Sequence, residues 1–478
     1  MSSDYIEART VGEWRLPPGL RRALPFYMRR DWVHFGHPIP LFEHLHKTFG
    51  RIAHYRFMGT TIVFVNDPAW INEILINQAG SFIKERTLKR MKILLGEGLI
   101  TSDDPIHMRQ RRIAAPAFHR QRIAGYASEI VASAIATRDG WQAGSTIDIS
   151  DAMMKLSLRI IARTLFDTEV TAEVLSIADE VNTIMGLYNF LVAFPKLESM
   201  LHWPIPGVVK FRKSRARLDA IVGRMIANRR ALGAEALATR GDLLSMLIAA
   251  RDEAEDGDGM REANGMREAN GMTDEQVRDE ALTIFLAGYE TVANALTWTW
   301  YLLSQNPEAA ARMATEIDEV LGSREATLED YARLKYTEMV FAESMRLYPP
   351  AWAMGRQSTK PVTLGEFRIP PGAHFFFSQY VMHRSAEYWD QPELFRPERF
   401  TDEAKSTRPR FVYFPFGGGR RQCIGEGFAW MEGVLALATI AQRWSLGFIP
   451  TYPIEAQAKI TLRPKFPMMM QIAERFPL

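Results

Sequence analysis

The chain has 478 residues, 47% of them hydrophobic and 24% charged, with a net charge of +2. That composition belongs to a globular protein and excludes a disordered chain or a strongly basic nucleic-acid binder. A single cysteine excludes an intrachain disulfide, a four-cysteine zinc site and an iron–sulfur cluster.

No apolar run approaches the roughly eighteen residues of a membrane span. The start, Met1-Ser2-Ser3-Asp4-Tyr5-Ile6-Glu7, resembles neither a signal peptide nor a transit peptide, so a cytoplasmic location without a transmembrane anchor is expected. Residues 1–41 lack periodicity and read as an extended arm; residues 42–478 read as one domain. Phe42 to Phe49 is a short helix. Ile52 to Phe57 and Thr60 to Val65 form a hairpin around Met58-Gly59. Asn66-Asp67-Pro68 caps a helix over Ala69 to Asn77.

Residues 79–106 are irregular, and a long loop inside a compact domain is usually functional. From Ile106 a helix sets His107 and Arg111 at i, i+4 on one face. Arg109, Arg112, Arg120 and Arg122 crowd the same region, so a solvated basic helix is the alternative. Helical spacing recurs over Ser128 to Arg138, Ile149 to Thr168, Ala172 to Met185, Val208 to Leu232 and Leu243 to Asp252. Residues 253–272 are acidic and then hold the six residues Gly259 to Asn264 again as Gly265 to Asn270, which reads as an exposed, tolerant loop.

Thr273 and Gln276 form a capping-box pattern, and no proline follows until Asn306-Pro307. The helix between them would span roughly 45 Å. Its middle reads Ala287-Gly288-Tyr289-Glu290-Thr291. Gly288 weakens the helix by ~1 kcal/mol relative to alanine, and the Thr291 hydroxyl can bond a helical carbonyl and help open a kink. A kink lined by a hydroxyl would be a polar notch in an apolar wall; an ordinary Gly and Thr in a helix are the alternative.

Leu334 to Leu347 is a helix ended by Tyr348-Pro349-Pro350, with Glu343 and Arg346 at i, i+3. Gln357 to Thr359, Val362 to Leu364, Phe367 to Ile369 and Phe375 to Tyr380 read as short strands. The lone cysteine comes late, in Phe416-Gly417-Gly418-Gly419-Arg420-Arg421-Gln422-Cys423-Ile424-Gly425. The glycines permit a tight positive-φ loop, and the apolar run from Glu426 onward is a helix. Cys423 would sit just before its N-terminus, where the dipole favours a thiolate.

This stretch resembles the cysteine loop of the cytochrome P-450 (haem-thiolate monooxygenase) family, Phe-x-x-Gly-x-Arg-x-Cys-x-Gly. Phe416, Gly419, Arg421, Cys423 and Gly425 fill its fixed positions. Ala287-Gly288-Tyr289-Glu290-Thr291 is similar to the family's Ala/Gly-Gly-x-Asp/Glu-Thr, and Glu343-x-x-Arg346 with Pro397-Glu398-Arg399-Phe400 to its structural triad. The resemblance covers the chain from about Phe42 onward. It implies a mainly α fold with a small β lobe (α+β), the family's helical prism, and haem b as cofactor.

The resemblance also implies a role for individual residues. Cys423 would ligate iron as a thiolate, its charge tempered by Gly425 and the loop amides. His107, Arg111, Arg356 and Arg421 would neutralise the haem propionates, with Phe416 beside the ring. Thr291 would hold dioxygen and a water, and Glu290 would lead a proton route. Ala287, Trp352, Met354 and Phe466, the last taken as the tip of a final hairpin, would contact substrate, with residues 79–106 as roof and Met185 to Pro206, including Phe190 and Phe194, as lid. Glu343, Arg346 and Arg399 would brace the loop. The reaction would be monooxygenation of a hydrophobic molecule, a fatty acid or a terpenoid, with the fatty-acid branches the nearer analogy through Ser378 to Arg384. No Gly-rich dinucleotide fingerprint occurs, so a monomer would take electrons from a separate ferredoxin- or flavodoxin-type protein with its NAD(P)H reductase. Arg109, Arg112, Arg120, Arg122 and Arg420 would be its docking face. A peroxide-driven peroxygenase, an isomerase or dehydratase, and a non-catalytic haem electron-transfer or binding protein are the alternatives.

Overall fold

The computed structural model describes residues 5–21, 38–57, 59–168, 177, 180, 183, 184, 203–249 and 272–475. Most of the helix expected from Ala172, the lid residues Met185, Phe190 and Phe194, and the duplicated loop lie outside the described residues. Two compact units emerge: Arg86–Ser133 with Lys155–Glu290, and Met1–Glu85 with Ala134–Met154 and Thr291–Leu478.

The first unit is helical. Helix α1, Ile106–Ala114, buries His107, Gln110, Ile113 and Ala114 on one face. The C-terminal part of the helix Ile149–Phe166 and the helix Pro206–Arg230 supply further apolar faces. Helix α2, Asp274–Gln305, begins in this unit. Its capping box is complete: Gln276 N–H donates to Thr273 Oγ1 (3.2 Å), and Thr273 N–H donates to Gln276 Oε1 (3.0 Å). Two orphan donors of the first turn are thereby satisfied, and the helix runs 32 residues without a break.

The second unit carries a seven-stranded mixed sheet. In chain order its strands are β1 (Tyr5–Ile6), β2 (Gly19–Leu20), β3 (Ile52–Phe57), β4 (Thr60–Val65), β5 (Phe82–Lys84), β6 (Met354–Ser358) and β7 (His374–Phe377). They lie in the order β1-β2-β3-β4-β7-β6-β5. β4 and β7 pair in parallel, Val63 opposite Phe375, and β7 and β6 antiparallel, Phe375 opposite Arg356. The β-branched and aromatic content of β4 and β7 suits strands buried on both faces, and Val63, Phe64, Phe375 and Phe377 are inaccessible.

The structure differs from the sequence reading in three places. The N-terminal stretch is extended but engaged: β1 and β2 join this sheet, and Arg9–Val11 with Trp14–Leu16 extends a second sheet to Phe367–Ile369. Pairing partners 35 residues away, Gly19 with His54, and 353 residues away, Arg15 with Arg368, cannot be seen in local periodicity. The strand expected over Phe375 to Tyr380 stops at Phe377. There Ser378 caps a short helix by accepting the Val381 N–H, a side-chain bond that competes with the ladder. The helix expected over Ala69 to Asn77 is α only to Asn72 and continues as a π-helical turn to Asn77.

Helix α3 (Lys335–Leu347), helix α4 (Gln379–Met382) and helix α5 (Glu426–Ala441) complete the elements that position the site. α5 lies tight on α3: a Cβ at Gly433 would overlap the Phe341 ring. Among the described residues no helix is long and apolar enough to cross a membrane.

Candidate active site

In the second unit the cysteine loop leaves Phe414 and ends at Gly425, the residue before α5. Gly417 and Gly419 take positive φ, 72° and 73°, which a side chain rarely adopts. Both are also sterically closed. A Cβ at Gly417 would stand 2.8 Å from Met354 Cε, and one at Gly419 would overlap the Leu75 carbonyl oxygen. The loop closes on itself through Gly417 N–H to Phe414 O (2.9 Å), Gln422 N–H to Gly419 O (3.0 Å) and Cys423 N–H to Phe416 O (3.0 Å). Phe416 sits 5.7 Å from Trp430 of α5, and Gln422 Nε2 donates to Glu426 (2.6 Å). Cys423 is held three residues before α5 starts and presents its thiol outward.

Beneath the loop lies a buried ion pair. Arg346 donates from Nε to Glu343 Oε2 (2.7 Å) and from Nη2 to Oε1 (2.8 Å), and neither side chain is accessible. Arg346 further donates to the carbonyls of His383 (2.8 Å), Pro392 (2.6 Å) and Leu394 (3.0 Å). Glu343 accepts the Arg396 N–H (2.8 Å), and Arg399 Nε stands 3.3 Å from its Oε1. This network meets the condition for a buried pair to hold together: nearly every donor and lone pair is used. Tyr413 Oη, at the loop's approach, donates to Ala342 O of α3 (2.9 Å).

Within the sheet, Arg356 is buried on β6, its Nη1 donating to Gly355 O (2.8 Å). Arg421 is half-buried. Trp352 joins the cluster around Phe42 and Phe64 and donates its indole N–H to Lys459 O (2.8 Å). Met354 rests against Gly417, on the cysteine loop itself. The last hairpin, β8 (Ala456–Ala458) with β9 (Leu462–Pro464), turns at residues 459–461. Its turn is anchored to α2: Asn294 Nδ2 donates to Thr461 Oγ1 (3.1 Å) and Trp298 Nε1 to Leu462 O (3.2 Å). Phe466 therefore lies outside the turn, two residues beyond β9, stacked on exposed Tyr452. The turn holds Ile460 instead, half-buried. Ala456-Gln457-Ala458 and Leu462-Arg463-Pro464 carry little strand propensity, so the sequence gives no local signal for this turn.

On α2, the residues before and after position 287–291 are almost all buried, while Ala287, Gly288 and Thr291 are half-buried. These three share one face at i, i+1 and i+4, so the helix has an open strip in an otherwise packed wall. Gly288 owes its identity to packing: a Cβ would stand 2.6 Å from Ile161 Cδ1. Tyr289 is inaccessible, 5.5 Å from Phe285, and Glu290 is buried.

In the first unit the loop at residues 96–102 is clamped to the start of α2. Glu97 N–H donates to Asp279 Oδ2 (2.8 Å) and Leu99 N–H to Glu280 Oε2 (3.2 Å). Cβ atoms at Gly96 and Gly98 would overlap the Asp279 carboxylate and the Thr283 hydroxyl. Gln110 of α1 ties in by donating to Glu97 O (2.6 Å) and accepting from Ser102 Oγ (2.8 Å). Burial, opposed by the Leu99 N–H and reinforced by Asp279, pushes Glu280 up to about 8. Burial likewise raises Asp279, against the pull of Arg278 and the Glu97 amide. Sequence reading missed this acidic pair, since Asp279-Glu280 looks like an ordinary solvated helix start. His107 on α1 is only 2% exposed, with Nδ1 3.3 Å from Asp104, and Arg111 one turn on is half-buried. The solvated alternative describes Arg112, Arg120 and Arg122, which are exposed, better than it describes His107.

Within the second unit the donor set fits a haem: one exposed thiol on a loop closed by its own backbone bonds, a buried network bracing that loop, and Arg356 and Arg421 as cations suited to carboxylates. A mainly helical fold with this thiol loop defines a haem-thiolate oxidoreductase. A family model described as cytochrome P450 matches residues 17–470. Relatives include "Cyclooctatin synthase" of Streptomyces melanosporofaciens, 37% identical with 86% of each chain covered. Another from that organism is "Cyclooctat-9-en-7-ol 5-monooxygenase", 35% identical over 84% of this chain and 83% of the relative. "Pentalenene oxygenase" of Streptomyces avermitilis is 32% identical over 93% of this chain and 95% of the relative. Among solved structures, a cytochrome P450DA heme domain superposes with a TM-score of 0.81 over 96% of this chain and 99% of that one, at 24% identity. The chain belongs to the cytochrome P450 family. It is a haem-dependent monooxygenase with the mainly α, small-β-lobe fold of that family.

Proposed function

We propose that the chain hydroxylates a cyclic terpenoid hydrocarbon or a derivative that already carries one hydroxyl, using electrons from a separate redox protein. The loop that exposes Cys423 while closing on itself through three backbone bonds carries the chemical part of this reading. The similarity to a cyclooctat-9-en-7-ol 5-monooxygenase and to a pentalenene oxygenase favours the terpenoid over the fatty acid.

The balance is one C–H bond, one dioxygen, two electrons and two protons giving one C–OH and one water. When bound, haem supplies the iron at which dioxygen is reduced. Cys423 as thiolate supplies the electron density that favours O–O cleavage. The start of α5 and the neighbouring arginines stabilise that anion. Thr291 Oγ1 holds a hydrogen bond at the open strip of α2, and the Glu290 carboxyl beside it moves protons toward that hydroxyl. Ala287, with its small side chain, leaves room there, Gly288 lets Ile161 pack against α2, and the apolar wall of α2 keeps other water out. His107, Arg111, Arg356 and Arg421 pair with the propionates, Phe416 and Gly425 shape the thiolate side, and Trp352 and Ile460 line the substrate side. Met354 supports the loop. Haem b, a monomeric state, and a ferredoxin- or flavodoxin-type donor docking by charge at Arg109, Arg112, Arg120, Arg122 and Arg420 complete the reading.

The test is a binding screen read by the low- to high-spin haem shift, followed by product analysis with a surrogate reductase. Cyclic terpene hydrocarbons and their monoalcohols should shift the spectrum and gain one oxygen. A shift with fatty acids alone would overturn the substrate class. Product formation driven by peroxide at the same rate as by reductase would overturn the dioxygen route.

A further inference from the structure

One buried imidazole in the second unit has no part in the chemistry above. His383 follows α4, its backbone N–H donating to Gln379 O (2.8 Å), and it is wholly inaccessible. Its carbonyl accepts from Arg346 Nη1 of the buried ion pair (2.8 Å). Its ring accepts, at Nε2, the backbone N–H of Phe414 (3.1 Å). A ring nitrogen that accepts carries no proton, so the neutral ring has its hydrogen on Nδ1. Burial first, then Arg346 and Arg384, hold the His383 pKa well below its ordinary value, against the pull of the Met345 and Arg346 carbonyls. The plane of the ring is set by Tyr413, tilted at 5.0 Å, and by Phe414, edge-on at 5.5 Å.

The bonds continue toward the thiol. Phe414 O accepts Gly417 N–H, and Phe416 O accepts Cys423 N–H. An unbroken series of short bonds thus runs from Glu343 and Arg346, through both the main chain and the side chain of His383, into the cysteine loop.

We propose that His383 is a positioning residue for Cys423, translating the position of the buried Glu343–Arg346 pair into that of the sulfur by its simultaneous bonds to Arg346 and to Phe414. The proposal rests on the reading of Cys423 as the haem ligand. Without the acceptor, the Phe414 N–H is a buried donor with no partner, and the loop escapes that penalty only by moving. A sulfur displaced from the iron is more readily protonated, and the thiolate signature is lost.

The geometry separates two conservative replacements. His383→Gln places an amide oxygen near where Nε2 stands; His383→Asn ends one bond short, near the place of Nδ1. His383→Phe keeps the ring and removes the acceptor. The haem-loaded wild type and the three variants are reduced, treated with carbon monoxide, and read for the strongly red-shifted thiolate band against the shorter-wavelength band of a lost thiolate. The ratio of the two bands should fall at least five-fold in His383→Phe and His383→Asn and stay within two-fold of wild type in His383→Gln. If His383→Phe does not fold, the Gln–Asn comparison decides alone. Equal ratios in Gln and Asn, or a wild-type ratio in Asn, would overturn the proposal while leaving the thiolate reading intact. A wild type without the red-shifted band would remove both.

Discussion

Glu280 sits at the point where the loop at residues 96–102 is tied to α2, and its replacement by glutamine isolates a single titration. The carboxyl is inaccessible and held at about 8, against an ordinary value of 4.5. The folded state therefore binds one more proton than the unfolded state between those values. Stability from this group is fully present below 4.5, declines as pH rises, and is lost once pH passes about 8. At ~1.4 kcal/mol per pH unit the whole loss is about 5 kcal/mol, of which roughly 2–3 kcal/mol falls between pH 6 and pH 9. A glutamine at this position keeps an acceptor for Leu99 N–H and cannot ionise, so Glu280→Gln should flatten the curve. Urea unfolding of both proteins near pH 6 and near pH 9 gives four free energies. The pH-dependent loss in wild type minus that in the variant cancels Asp279 and every other shared group, and any constant effect of the amide. The expected difference is about 2–3 kcal/mol, accompanied by lower protection of the Leu99 amide, relative to its intrinsic exchange rate, at the higher pH in wild type only. A difference below about 0.5 kcal/mol would show that Glu280 is ionised in the folded protein at neutral pH, and the reasoning from burial would be wrong.

Thr291→Ala should lower product formed per NAD(P)H consumed several-fold while leaving the red-shifted carbon monoxide band unchanged; the missing electrons should appear as peroxide, and unchanged coupling would remove Thr291 from proton delivery. Glu343→Ala leaves Arg346 buried without its counter-charge, and should cost about 3–5 kcal/mol and most of the retained haem, measured by urea unfolding and by haem absorbance per chain. Gly288→Ala should cost about 1–3 kcal/mol through the contact with Ile161. Adding Ile161→Val, which shortens that side chain, should recover part of the loss; a double variant no better than Gly288→Ala would show that the glycine is needed for another reason.

What the amino acids determine by themselves here is local and covalent. Thr273 and Gln276 announce the start of α2 because both ends of a capping box lie within one turn. The glycines before Cys423 announce a positive-φ loop because only glycine enters that region without strain. Both are short-range facts, and the motif with its single sulfur carries the family with it. The tertiary structure alone decided which residues meet across long separations. The N-terminal strands look like a loose arm until partners near positions 54 and 368 are brought alongside. Asp279 and Glu280 look like a solvated helix start until the loop at 96–102 buries them. Phe466 looks like a hairpin tip until the bonds from Asn294 and Trp298 hold the turn at residues 459–461, five residues earlier. His383 looks like any surface histidine until Arg346 and Phe414 enclose it. In each case the deciding term is desolvation, or a hydrogen bond between residues distant in the chain, and neither leaves a trace in local periodicity.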